Sequence, residues 1–212
     1  VGAKKYFDEG NKLEVPYPDW LHDWNYGLSK AATELIAHIV EEDRSYQEVV
    51  TADYMMMNPI VSEILRGGIT FDDPDNRLEY KPAKNQGQVV RDDQHQSEFI
   101  QDVGTRIDSH SGYIDYPHAG VLNTHSFLNR YPTTDTNRNR ARSRWTYYHF
   151  LGVDIEKSAP RTTDPVALAD TNNPTMNNPA CTVCHEILDP LAGAFQNYGD
   201  AGRYRSGWLG KD

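Results

Sequence analysis

The sequence predicts a mainly α-helical fold with long irregular connections and one polar insertion. Three observations predict it. Leu28, Ala31, Ala32, Leu35, Ile36, Ile39 and Val40 recur at helical spacing, which marks an amphipathic helix over 20–42. Arg140–Leu151 reads as another helix, stopped by Gly152. Near the C-terminus, Cys181-Thr182-Val183-Cys184-His185 leads into Leu188, Leu191, Ala192 and Phe195, again at helical intervals.

The elements follow in order. Residues 1–19 mix charge, glycine and proline (Val15-Pro16-Tyr17-Pro18) and suit an extended arm. Asp19 is placed to cap the first helix near Trp20. His22 and His38 ride on that helix as surface or core-edge residues. Ser45 and Glu48 make a capping-box pattern that opens a second helix through Val49 and Val50 toward Tyr54. Asn58-Pro59 restarts the chain as cap and first helical residue, and Gly67-Gly68 ends the helix Pro59–Arg66. Met55-Met56-Met57, between these helices, reads as adaptable core filling.

Residues 67–112 are the polar insertion, rich in Asp, Asn, Gln and Gly. Phe71–Asn76 is a turn there, and a short hairpin around Leu78–Tyr80 fits the pattern. Clustered Asp and Asn oxygens raise the question of calcium at 72–76. The EF-hand spacing is absent, which favours a solvated turn. A short helix is expected over Glu98–Ile107, with His95 and His110 facing solvent. In Tyr116–Leu128 a turn at Gly120 leads into apolar Val121, Leu122, Phe127 and Leu128, carrying His118 and His125. Residues 153–180 hold Pro160, Pro165, Pro174 and Pro179 and are expected to wrap the core without regular elements. Glu186–Tyr198 reads as a helix interrupted at Asp189-Pro190 and stopped by Gly199. The expected organisation is an arm (1–19), a helical segment (20–66), the insertion (67–112) and a C-terminal region (113–212), forming one compact domain overall.

The chemistry sits in Cys181–His185, which holds both cysteines of the chain. C-x-x-C-H is the pattern of covalent c-type haem attachment. Two thiols three positions apart fall on one side of a helical turn and can add to the two vinyl groups of one porphyrin. The histidine that follows can ligate the iron. A C-x-x-C dithiol would need a βαβ context, and none is visible. A zinc site would need further ligands, and no second C-x-x-C or H-x-x-x-H exists. The expectation is one covalent haem c in a cytochrome c-like helical haem domain. Cys181, Cys184 and His185 would hold it, with Pro190, Leu191, Phe195, Tyr198 and Arg203 around it. A backbone carbonyl near Pro190 is expected to accept the Nδ1 proton of His185. Tyr204, Arg205 and Trp208 would close the haem edge with Tyr198 and Arg203. Arg140, Arg142 and Arg144 would pair with haem propionates or form a salt-bridged face.

Neither Met nor His follows His185, so a distal iron ligand must come from upstream. Met176 is the first candidate. It precedes Cys181 by five residues, a span of up to about 17 Å. His125 is the second; His118, His149 and Met55–Met57 come after it, and an open distal site is the remaining case. Met/His ligation suits electron transfer, whereas an open site suits peroxide or small-gas chemistry.

With 31 acidic and 21 basic residues, the net charge is −10. That argues against nucleic acid and against docking on anionic lipid. It suits redox partners with a basic docking face. No run of about 18 apolar residues marks a membrane span. Covalent haem is attached after export, so a periplasmic, extracellular or cell-surface location is expected, and Val1 reads as a processing or chain boundary. The expected function is electron transfer in a larger redox assembly. The alternatives are a peroxidase-like haem enzyme, with His125 or Arg142 at a vacant face, and a structural or accessory haem subunit.

Cys181–His185, followed by Asp189-Pro190-Leu191, Phe195, Asn197-Tyr198 and Asp200-Ala201-Gly202-Arg203-Tyr204-Arg205, resembles the pattern C-x-x-C-H…D-P-L-G-F…E-N-F-D-x-x-G-x-x-R. That pattern belongs to the planctomycete-type cytochrome c proteins, found also in myxobacteria and marine proteobacteria. Tyr46–Asn58, Ala119–Leu128 and Arg142–Gly152 are similar to three further segments of that family, in the same order. Thr175-Met176 stands where the family often has a histidine. The resemblance implies haem and export, and many of the family's proteins are longer than this chain.

Overall fold

The structure, a computed structural model, describes residues 18–65, 67–85, 117–134, 136–199 and 202. The fold is mainly helical. The arm ahead of residue 18, the helix expected over Glu98–Ile107, His95, His110, and Arg203, Tyr204, Arg205 and Trp208 lie outside the described residues. Two compact units form. One comprises the described residues up to Arg130 together with Tyr198, Gly199 and Gly202; the other takes in the described residues from Tyr131 to Asn197. The division falls within the stretch 113–212 that the sequence groups together.

The first unit is organised on α1 (Pro18–Glu41). Leu28, Ala31, Leu35 and Ile39 are each at most 2% exposed, one stripe at spacings of three and four. Ile36 and Val40 face solvent, so the buried stripe is narrower than the apolar pattern. Asp43 closes the helix in the left-handed region, and the Arg44 N–H reaches back to the Ile39 carbonyl. This is the Schellman arrangement, with aspartate in the usual glycine position. α2 is the single turn Glu48–Thr51, and Tyr54 lies beyond it. α3 (Pro59–Leu65) starts as the sequence indicates: Asn58 Oδ1 accepts the Val61 N–H at 2.9 Å. α1 and α3 approach closely at Gly27, where a Cβ would stand 2.7 Å from Val61 Cγ2.

The methionine triplet is a strand. β1 (Met55–Met57) pairs antiparallel with β2 (Lys81–Ala83), Met55 opposite Ala83 and Met57 opposite Lys81. The expected hairpin around Leu78–Tyr80 is therefore displaced: those residues form the approach to β2, whose partner comes from before α3. The reason is burial. All three methionines are 8% exposed or less under α1, and pairing satisfies their backbone groups where water is excluded. In the turn before β2, Glu79 accepts the Asp72 and Asp73 N–H groups, and Asp73 accepts that of Asp75. These carboxylates serve the backbone of the turn.

Gly120 anchors the return to α4 (His125–Arg130). Its φ is +54°, its N–H bonds the Ala52 carbonyl, and a Cβ there would lie 2.1 Å from the Val49 carbonyl oxygen. Only glycine meets both conditions.

The second unit begins with α5 (Arg140–Leu151), which ends at left-handed Gly152 as expected. The proline-rich connection is more ordered than its composition implies. It contains a 3₁₀ turn (Ile155–Lys157), α6 (Pro165–Leu168) and α7 (Pro174–Asn177). Pro165 and Pro174 open their helices instead of breaking them, because the first turn needs no N–H from them. α8 (Pro179–Ala194) packs against α5, α7 and the 3₁₀ turn.

Candidate functional site

α8 carries the C-x-x-C-H sequence. Asn178 caps it, Oδ1 accepting the Ala180 N–H at 3.0 Å, and Pro179 occupies the first helical position. The helix then runs through Cys181–His185 and on past Pro190 to Ala194, so the interruption expected at Asp189-Pro190 does not occur. Proline inside a helix removes one hydrogen bond and costs about 3 kcal/mol. Here α5 supports the loosened turn. Ser143 Oγ donates to the Leu188 carbonyl at 2.8 Å, and Tyr147 Oη donates to that of Ile187 at 3.4 Å.

Cys181 and Cys184 are both free thiols, half-buried and one turn apart on α8. At this spacing two side chains lie on one helix face. That face continues through Leu188 and Ala192, which are buried. Cys184 Sγ lies 3.9 Å from the Ile155 carbonyl oxygen.

His185 is half-buried, and its Nδ1 is held by a carboxylate. Asp189, one turn further on, places Oδ1 and Oδ2 at 3.1 and 3.2 Å from it. This corrects the expectation of a backbone carbonyl in that role. Arg140, the first residue of α5, grips the same carboxylate with two bonds, Nε to Oδ1 at 2.6 Å and Nη2 to Oδ2 at 3.0 Å. Partial burial pushes the Asp189 carboxyl up; the bonds from Arg140 and His185 outweigh it and hold the group below its ordinary value. The carboxylate is ionised and can only accept. Nδ1 therefore bears a proton in this contact, and Nε2 is the ring nitrogen left to meet a metal. The signal for Asp189 was its i+4 spacing from His185, which reading Asp189-Pro190 as a helix break concealed.

The arginines of α5 are engaged by protein groups. Arg144 bonds both oxygens of Asp154 at 3.0 Å and reaches Glu156 at 2.7 Å. Arg142 is fully buried and donates to Asn139 Oδ1 at 2.7 Å. The salt-bridged reading of Arg140 and Arg144 is the one observed, and Arg142 is interior to its unit.

Met176 lies on α7, which packs against α8, and is 77% exposed. The other three methionines of the chain are those buried in β1. His125 belongs to the first unit, where its Nε2 bonds Asn129 Nδ2 at 2.8 Å. His118, also there, accepts the Asn85 N–H at Nε2. His149 bonds Tyr131 Oη through Nε2 and stacks on Trp145. Of the residues expected around the haem, Phe195 is buried, Leu191 half-buried and Pro190 exposed. Tyr198 belongs to the first unit, its hydroxyl donating to the Pro117 carbonyl at 3.3 Å.

The residues present fit a covalently attached haem. Two free thiols and a histidine whose Nδ1 is held by Asp189 share one helix. Among the described residues of this unit, the buried apolar side chains are few, with Ile155, Ala167, Leu188, Ala192 and Phe195 the principal ones. Val166, Leu168, Met176, Val183 and Ile187 stand 43–78% exposed on α6, α7 and α8, apolar surface of the kind a porphyrin wall requires. Among the described residues, no group of three or more His, Cys, Asp or Glu side chains is placed to hold a metal ion by itself.

The chain is similar over residues 118–207 to a family described as PSCyt3, Protein of unknown function (DUF1588), whose name points to a cytochrome c-type domain. The matched span contains α4 to α8, and with them the C-x-x-C-H helix. No curated protein matches the chain, and no solved structure does.

Proposed function

We propose that the chain is a monohaem c-type cytochrome that transfers single electrons as a subunit of a larger redox assembly. The observation that carries this is the pair of free thiols, Cys181 and Cys184, one turn apart on a helix that also presents His185 with Nδ1 already engaged. Cys181 and Cys184 would form the two thioether bonds, and His185 Nε2 would ligate the iron. The haem would supply the one-electron couple. The protein's part is to orient the ligand, set the local charge and limit access of water.

Met176 is the proposed distal ligand, as the one exposed sulfur beside the haem helix. No helix among the described residues is long and apolar enough to cross a membrane. Attachment of haem after export would put the protein in the periplasm, outside the cell or at the cell surface. Its acidic surface would meet a basic redox partner.

One observation favours a second reading. A carboxylate on the proximal imidazole makes a stronger electron donor than a carbonyl does, which suits a peroxidase-like enzyme with an open distal site. Optical and magnetic-dichroism spectra of protein matured with its haem-attachment machinery separate the two. A low-spin ferric spectrum with a methionine charge-transfer band, lost in Met176→Ala, is expected. A high-spin ferric spectrum would sink the electron-carrier reading, and the absence of any covalent haem would sink both.

A further inference from the structure

We propose that Asp189 is a positioning residue that strengthens His185 as an iron ligand and so favours the ferric state, and that Arg140 moderates this effect. The inference rests on the haem reading above.

The geometry has three parts. Asp189 faces His185 across one turn of α8, and both carboxylate oxygens lie within 3.2 Å of Nδ1. The imidazole can therefore neither flip nor exchange tautomers without breaking these contacts. Arg140 clamps the carboxylate from α5 with a bidentate pair, so Asp189 is held from two helices at once. Its side chain is 34% exposed and that of His185 23%, which leaves both partly shielded from water. A charge-assisted bond of this kind is stronger than one to a neutral carbonyl.

The electronic consequence follows. The carboxylate draws on the Nδ1 proton, and Nε2 gains donor strength. A stronger donor stabilises the more highly charged iron. The couple remains one electron between Fe(III) and Fe(II), exchanged with the redox partner proposed above; the Nδ1 proton stays in its hydrogen bond in both states. Arg140 and Asp189 carry opposite unit charges. Removing either one therefore acts in an opposite direction: loss of the carboxylate weakens His185 and leaves an uncompensated cation, whereas loss of the guanidinium frees the carboxylate to draw harder on Nδ1.

Potentiometric titration of the holoprotein and of Asp189→Asn and Arg140→Gln tests this. The potential is expected to rise in D189N and fall in R140Q. The iron–histidine stretch, read by resonance Raman after photolysis of the carbonyl adduct, is expected to be higher in the native protein than in a cytochrome whose proximal imidazole bonds a backbone carbonyl. It should drop in D189N. Shifts of the same sign, or no shift in either variant, would reduce the pair to a tie between helices and overturn the proposal. Should D189N fail to retain haem, the R140Q potential and the native stretching frequency decide alone. A native protein with no covalent haem removes the haem reading and this inference together, whereas haem present with unmoved potentials removes only the inference.

Discussion

At the residue scale, the carboxylates of this acidic chain do specific work. Glu79 accepts two backbone N–H groups and pairs with Lys81 at 2.8 Å. The Asp72 N–H, the Lys81 ammonium and the Asp73 N–H together lower its carboxyl from an ordinary 4.5 to about 2. Because the folded value is depressed, this stabilisation is complete above the unfolded value and is lost as pH falls from 4.5 toward 2. Glu79→Gln should accordingly lower the urea midpoint at pH 7, and the gap between variant and native protein should close across that interval. A gap constant from pH 7 to pH 3 would show that the charge of Glu79 is irrelevant. Asp189 obeys the same physics with a different use, since its bonds run to a candidate iron ligand and not to a turn. Residue type and spacing made Cys181, Cys184 and His185 legible in the sequence. Asp189 was concealed by reading Asp189-Pro190 as a helix break, and Arg140, 49 positions from it, carries no local signal at all.

At the element scale, two helix entries decide the local structure. Gly120 sits where α2 and the approach to α4 touch backbone to backbone. Gly120→Ala combines a strained left-handed alanine with overpacking against the Val49 carbonyl and should cost about 3 kcal/mol. Chemical denaturation reads this directly; a loss near zero would mean that the segment moves away freely. Asn178 caps the C-x-x-C-H helix and also donates to Asp170 at 3.0 Å. Asn178→Ala should cost about 1 kcal/mol and loosen the first turn of α8. Faster alkylation of Cys181 in the haem-free chain would report that loosening, and unchanged alkylation with unchanged stability would deny the cap its role. Helices were the easiest elements to foresee, because capping and periodicity are local. β1 was harder: a methionine triplet has no alternation, and only burial under α1 makes it a strand.

At the scale of the whole molecule, net charge is the property with a consequence. A protein at −10 would meet the basic redox partner proposed above with electrostatic steering, and salt would remove that advantage as the Debye length falls from about 10 Å at 0.1 M to about 3 Å at 1 M. The second-order rate of electron exchange with a small basic cytochrome should fall on the order of tenfold across that range. Stopped-flow kinetics at graded salt would measure it, and a rate that rises with salt would argue for an apolar or acidic partner face.

Sequence alone was enough for the helical class, the boundaries of α1, α3 and α5 to within a residue or two, and the C-x-x-C-H pattern, because each depends on residues within a few turns of one another. The tertiary structure decided what those elements are for. It turned Met55–Met57 into a buried strand, carried α8 through Pro190 with hydroxyls from α5, committed Arg144 to Asp154, and set Arg140 and Asp189 behind His185. All but Arg144–Asp154, ten positions apart across the turn at Gly152, join residues far apart in the chain, and such pairings become visible only when packing brings the elements together.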